Sequence, residues 1–274
     1  MKQLAILTLI LFVSISGFSQ NKLKGSRNVI VETRDVMSFN RMIVSSDIDV
    51  ILSQGNQVGL EVEADDNLME SVYTEVKDSI LEIYLLDDVS RAKALKVHVS
   101  VNTPIFILET RDKSKISCVT AMTFDEFYLL AQERSDINLS IDAAYTDMKF
   151  YDKSNAEFII TNNELAKVNA EGNSSVKYNI TSQELKVSLQ ESSDLQVSGN
   201  ANHLELTTFE KSDFKGKDLI VETASVNASD NSNVSIYVTD KLLISAQHDS
   251  EIDIYGKATY EIILFADKAK LNKK

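Results

Sequence analysis

The chain has no tryptophan, one proline, one cysteine and eight glycines among its 274 residues. Each scarcity removes a class of explanation. Cys118 alone can close no intramolecular disulfide, so stability has to come from a packed core. Pro104, in VNTPIF, is the single proline, and no Pro-, Gly- or Ser-rich linker divides the sequence, which favours one continuous body. No phosphate-binding glycine loop and no Gly-x-Ser-x-Gly elbow occurs. Basic residues are also short, with 28 Lys and Arg against 41 Asp and Glu. Such a balance disfavours nucleic acid and anionic membrane surfaces as partners. It serves solubility, with binding of a cation or a basic ligand as the alternative reading.

Long apolar runs are missing after the first twenty residues. The opening MKQLAILTLILFVSISGFSQ has one lysine, an apolar stretch from Leu4 to Val13, and small residues at Ser14, Ser16, Gly17 and Ser19. That is the layout of a secretory signal peptide, residues 1–19, cleaved after Ser19. The apolar stretch falls short of the ~20 residues of a membrane span, so no transmembrane anchor is expected. No cysteine follows it, so a thioether lipid anchor has no attachment point. The expectation is an exported chain, in the periplasm, at the cell surface or secreted, that is not a lipoprotein. Loss of Lys2 leaves 27 basic residues against the same 41 acidic ones, a mature charge of −14.

What the sequence does contain is a repeat. Serines followed by a polar residue recur at Ser114, Ser135, Ser154, Ser174, Ser193, Ser212, Ser232 and Ser250, with spacings of 21, 19, 20, 19, 19, 20 and 18. Between them apolar residues alternate with polar ones. Leu185, Val187 and Leu189 precede Ser193, and Leu195 and Val197 follow it. Phe127, Leu129 and Ala131, then Ile137 and Leu139, flank Ser135; Leu242, Ile244 and Ala246, then Ile252 and Ile254, flank Ser250. Period two means strands with one buried face. A single two-strand coil cannot bury that face, whereas stacked coils can. The pattern therefore predicts an all-β solenoid with coils of about 19–20 residues stacked about 4.8 Å apart. Serine and its Asp, Asn or Glu neighbour suit the corners, where short polar side chains bond local backbone.

Residues 28–103 read differently, as strands with one short helix that cap the solenoid. In DDNLMESVYTEVKD, Leu68, Val72 and Val76 share a helical face and Asp66 or Asn67 can cap its start. Coils then occupy 104–265, and 266–274 is a basic tail.

This order of features resembles the GIN-domain family, described as autotransporter-type adhesin head domains and common in exported proteins of Bacteroidetes. The resemblance spans residues 38–265 and rests on FNRMIVSSDIDVILSQGNQ, LEVEADDNLMESVYTEVKDSILEIYL, VSVNTPIF and the polar-turn coils. It implies a right-handed β-helix and attaches no enzymatic activity. The family's turns usually read Gly-Ser-Gly, whereas here only Gly172, Gly199 and Gly216 lie in or near corners, so other residues must adopt the turn conformations.

Candidates for chemistry are few. Stacking brings Asp194 and Asp213 to about 5 Å, the carboxylate separation of a retaining glycosidase. Sugar-gripping tryptophan is absent, though, and no arginine aligns with Asp194. His98, His203 and His248 do not pair at metal-ligand spacing, and Cys118 takes the inward slot equivalent to Val197. Asp65-Asp66-Asn67 and Asp87-Asp88 lack the spaced pattern of a calcium loop and read as caps and solvated loops. No catalytic, metal or cofactor residue is therefore assigned, and no cofactor is expected. The reading is an exported, non-catalytic β-solenoid for recognition or adhesion at the cell envelope. Its partner is a glycan, a protein or another copy of itself. The alternatives are a polysaccharide lyase or hydrolase of the β-helix type and a purely structural envelope protein.

Overall fold

The computed structural model describes residues 22–274; the signal-peptide reading falls on residues outside this range. The chain winds into a β-solenoid of about nine turns. Each coil has two arms. In one coil, Asp194–Thr208 leaves the corner serine Ser193, bends near Gly199 and returns to the next corner at Ser212. Along the middle of the solenoid each arm pairs in parallel with the equivalent arm of the coils before and after it. Residues one coil apart lie opposite one another, so Leu185 pairs with Leu204, Leu204 with Ala224 and Ala224 with Leu242.

All the residues assigned inward from the alternation are buried, including Phe127, Leu139, Leu189, Val197, Ile244 and Ile254. The reason is geometric: with period two, one register error would have exposed the whole set. Between the two arms the core carries an aromatic spine, Phe150 to Phe158 to Tyr178, with ring centroids 6.0 and 5.9 Å apart. Phe158 and Tyr178 fill the same inward slot of successive coils, and Phe150 meets Phe158 edge-on from the opposite arm.

The eight serines mark the corners, but they are not surface groups. All are buried to within 1 % of full burial. Each follows two corner residues, and the corner at 191–192 shows the design: Glu191 and Ser192 both have positive φ (51° and 67°), and the N–H of Ser193 donates to the Gln190 carbonyl at 3.2 Å. This is the geometry of a type I′ turn. It aims the next side chain into the narrow space where the two arms converge, and serine is small enough to enter. The N–H groups of Gln190 and Phe209 reach the Oγ of Ser193 and Ser212, each at 3.1 Å. At the ends of the column, Ile48 and Ala269 take the serine's place. Positive φ recurs at Asp112-Lys113, Glu133-Arg134, Asp152-Lys153, Glu210-Lys211, Asp230-Asn231, His248-Asp249 and Asp267-Lys268. Side chains other than glycine thus make nearly every corner, as the shortage of glycine requires.

The first part of the chain closes the solenoid. Arg41–Val44 and Asp49–Gln54 form the first coil and pair in parallel with Ile80–Leu85 and Leu95–Val101. Beyond these the pairing turns antiparallel: Val72–Lys77 with Ile80–Leu85, Gly59–Asp65 with Leu95–Val101, and Val29–Arg34 with Gly59–Asp65. The expected helix is shorter than the sequence suggests. Only Asp66–Ser71 is helical, as a 3-10 turn, and neither Asp66 nor Asn67 caps it. Val72 and Val76 lie instead on a strand, because Val72, Tyr73, Thr74 and Val76 are β-formers and Asp78-Ser79, both at positive φ, make the two-residue turn of a hairpin. Lys270–Lys273, within the basic tail of the sequence reading, is a strand paired with Glu251–Gly256.

Candidate functional site

Corner residues project along one edge of the solenoid and build a groove. In sequence, four of the eight corner serines are preceded by an acid and then a base: RDKS at 111–114, QERS at 132–135, YDKS at 151–154 and FEKS at 209–212. Stacking converts these dipeptides into two rows. Their backbones join in a ladder of their own: Lys113 N–H donates to the Glu133 carbonyl at 3.1 Å, Arg134 to Asp152 at 3.2 Å, and Lys153 to Gly172 at 3.0 Å. Across the rows lies the loop Leu85–Lys96, held by the small parallel pair Leu23–Lys24 with Val89–Ser90. The space between holds about 1280 Å³ and reaches from Asp47 at the first corner to Glu191. Its charged lining includes Asp112, Lys113, Glu133, Arg134, Asp152 and Lys153, with Arg91 and Lys93 opposite. Among the described residues that line it, none is aromatic.

Close stacking leaves a trace in the acidic row. A hydrogen bond with Asp112, one coil below, and then the repulsion between the two carboxyls raise Glu133 from its ordinary value. The groove's signal in the sequence is the acid–base dipeptide, which lies before the serine rather than in the Ser-polar pair that marks the repeat.

The groove's loop is pinned by the first acidic run. Asp65 is fully buried, and its carboxylate accepts the N–H groups of Arg27 (2.8 Å), Lys93 (3.0 Å) and Ala94 (3.1 Å). Burial works against its charge, but those backbone bonds outweigh it and hold the carboxyl below its ordinary value. Asp66 accepts from Ser26 Oγ (2.5 Å) and Asn28 Nδ2 (2.9 Å), and Asn67 bonds the Ser26 N–H and the Lys24 carbonyl. So the run read as cap and solvated loop is a clamp that fastens segment 24–28 and loop 93–94. Asp87, of the second run, accepts from Ser71 Oγ at 2.8 Å.

The remaining sequence candidates are scattered. Asp194 and Asp213 are register neighbours on the outer face of one arm. Asp194 is paired with Lys215, a base one coil on that the sequence reading did not align, and Asp213 accepts from Asn233 Nδ2 at 2.8 Å. A small recess of about 310 Å³ lies beside them, lined by Lys215, Asn233, Glu251 and Asp253 among others. His98 bonds Glu63 (3.2 Å), His203 bonds Thr223 (3.0 Å), and His248 bridges Asp230 (3.4 Å) and Asp267 (3.3 Å), on three separate parts of the solenoid. Cys118 stands in the inward column that also holds Leu139 and Val197, half-buried, and its sulfur accepts the Ser140 N–H at 3.2 Å.

The family model described as "Putative auto-transporter adhesin, head GIN domain" matches residues 38–159 and 153–258. The chain belongs to this family. The solenoid of GIN-domain proteins also recurs in solved structures. A "putative adhesin" from Parabacteroides merdae is 14 % identical, with TM-score 0.71 over 92 % of this chain and 99 % of that one. Another from Parabacteroides distasonis is 18 % identical, with TM-score 0.70 over 93 % and 100 %. A "putative lipid binding protein" from the same species is 18 % identical, with TM-score 0.66 over 92 % and 99 %. At these identities the likeness is one of fold. Among curated proteins there is no match to this chain. No helix among the described residues is long and apolar enough to cross a membrane.

Proposed function

We propose that this GIN-domain chain is an exported, non-catalytic recognition module that binds an extended, charge-bearing ligand at the cell envelope, through the groove between the corner rows and loop 85–96. The observation that carries the reading is the groove's lining: acid and base in parallel rows at three successive corners, Asp112-Lys113, Glu133-Arg134 and Asp152-Lys153. A polymer with regularly spaced charges meets the same pair three times in succession, so weak contacts add along its length. Long-range attraction from such rows weakens with salt. The lack of aromatic lining favours ionic recognition over stacking on neutral sugar rings. Membership of a family described by adhesion supports the same class of role. Export is part of the same proposal, with the mature chain starting at Gln20 and carrying no lipid. Mass spectrometry of the native protein tests that start; an intact Met1 or a lipid adduct would refute it.

Binding is tested on an array of charged and neutral envelope glycans and envelope proteins. The expected result is binding to charged members that falls as salt rises, and that drops at least about tenfold in the Lys113→Glu/Arg134→Glu/Lys153→Glu variant. Preference for neutral glycans, or indifference to that variant, would remove the groove from the reading.

A further inference from the structure

The two ends of the solenoid are unlike. At the first end the antiparallel strands Val29–Arg34 and Val72–Lys77 lie outermost; each also has one neighbouring strand among the described residues, but Glu32, Arg34, Glu75 and Lys77 guard them with charge. At the other end lie Thr259–Phe265 and Lys270–Lys273, the two arms of the last coil. Among the described residues each has a neighbouring strand on one side only. Thr259–Phe265, TYEIILF, lies outside the family match and carries one charged residue. Tyr260 and Ile262 sit in register over Leu242 and Ile244, and Phe265 over Ala246. Those three lower residues are 0 % exposed, whereas Tyr260 and Ile262 are each 48 % exposed, Phe265 is 46 % and Ile263 is 61 %. Natural sheets protect their edges with charge, proline or cover; this one presents inward-slot aromatics and open backbone together.

We infer that this end is a dimerisation surface whose occupant is the same end of a second copy of the chain. Open N–H and C=O groups along a strand are satisfied as fully by a second strand as by water, whereas a hydrocarbon surface would leave them unsatisfied. The two arms run in opposite directions, since a corner joins them. A two-fold axis parallel to the strands therefore sets Thr259–Phe265 of each copy antiparallel to Lys270–Lys273 of the other. Positions equidistant from the corner Ala266–Ala269 then face each other, which places Glu261 opposite Lys273 and Lys274 of the partner subunit. The charges across the joint are opposite in sign, and they are repeated by the symmetry. Little net charge obstructs the approach, because Lys270 is paired with Glu251 (3.6 Å), Lys274 with Asp253 (3.1 Å) and Glu261 with Lys241 (3.3 Å). Tyr260, Ile262 and Phe265 of both copies continue the core across the joint. Because the pairing is isologous, it uses the last end of both copies, and the assembly stops at two.

Sedimentation equilibrium of the mature chain tests this. A monomer–dimer equilibrium with no larger species is expected. Ile263→Lys, at the bulge of the strand and outside the inward slots, weakens dimerisation at least about tenfold while far-UV circular dichroism stays unchanged. Glu261→Lys weakens it likewise, and adding Lys274→Glu restores it, which a folding defect would not do. Zero-length cross-linking of a mixture of isotopically labelled and unlabelled chains joins Glu261 of one copy to Lys273 or Lys274 of the other. A monomer at every concentration reached would overturn the inference. So would a dimer that ignores these variants, or binding to anionic phospholipid vesicles that Ile263→Lys abolishes in a protein that stays monomeric.

Discussion

Gly216 lies beneath the ring of Phe214: a Cβ at 216 would stand 2.3 Å from Cε1 of that ring. Gly216 pairs with Ile236, an inward position, and the phenyl ring two residues away fills the space a side chain at 216 would take. Gly216→Val should therefore overpack the coil and cost about 1–3 kcal/mol in urea unfolding. Phe214→Ala alone should cost about 3–5 kcal/mol through the cavity it opens. The double change should cost less than the sum, because the valine refills part of that cavity.

Leu189 and Gln190 test the register. Leu189 is fully buried and Gln190 is exposed. Leu189→Ala should cost about 2–5 kcal/mol, and Gln190→Ala should stay within about 0.5 kcal/mol. Equal effects would place the alternation on the wrong face.

Asp65 makes stability depend on acid. Its carboxyl lies below the ordinary aspartate value of 3.8 in the folded chain. The contribution of the charged form is complete above that value and is lost as pH falls through the lower, folded-state value. Asp65→Ala, which leaves the N–H groups of Arg27, Lys93 and Ala94 without their acceptor, should cost roughly 2–4 kcal/mol at neutral pH. The difference between wild type and variant should shrink below pH 3.8, as read by denaturant titration at two pH values.

Asp194 and Asp213 separate recognition from catalysis. With Lys215 on one carboxylate and Asn233 on the other, the pair is a polar surface ladder. Asp194→Asn/Asp213→Asn should shift stability by no more than about 0.5 kcal/mol. Envelope and plant polysaccharides should remain uncut by the wild-type protein, with or without calcium. Cleavage that disappears in the double variant would establish an enzyme.

Most of the coil was legible because period two and period twenty are both written in residue types. Leu185, Val187 and Leu189 could only share a face, and the serine spacing could only count coils. The fate of the serines was not legible: polarity pointed to the surface, while the positive φ of the two residues before them turned the hydroxyls inward. Val72 and Val76 fitted a helix as well as a strand, and the hairpin partner across Asp78-Ser79 decided between them. The groove was hidden because its loop, Leu85–Lys96, is set by distant partners: the pair Leu23–Lys24 with Val89–Ser90, and a buried aspartate whose bonds span 28 to 38 residues of sequence. Periodicity reports neighbours along a coil and says nothing of a clamp between distant segments.

The corner ladder also bears on how such a chain can change in length. Each corner offers the same carbonyl to the coil before it and the same N–H to the coil after it, as Asn173 to Glu191 (3.1 Å) and Ser192 to Glu210 (3.0 Å) illustrate. Excising Ser175–Ser193 would join Ser174 to Asp194, and the corner N–H of Asn173 would meet the Glu210 carbonyl in place of that of Glu191. A gene encoding this protein can thus gain or lose whole coils by in-frame recombination between serine codons, with the charged first end and the apolar last end carried along intact. Reach from one end to the other is then an adjustable trait that leaves both termini of the rod unchanged.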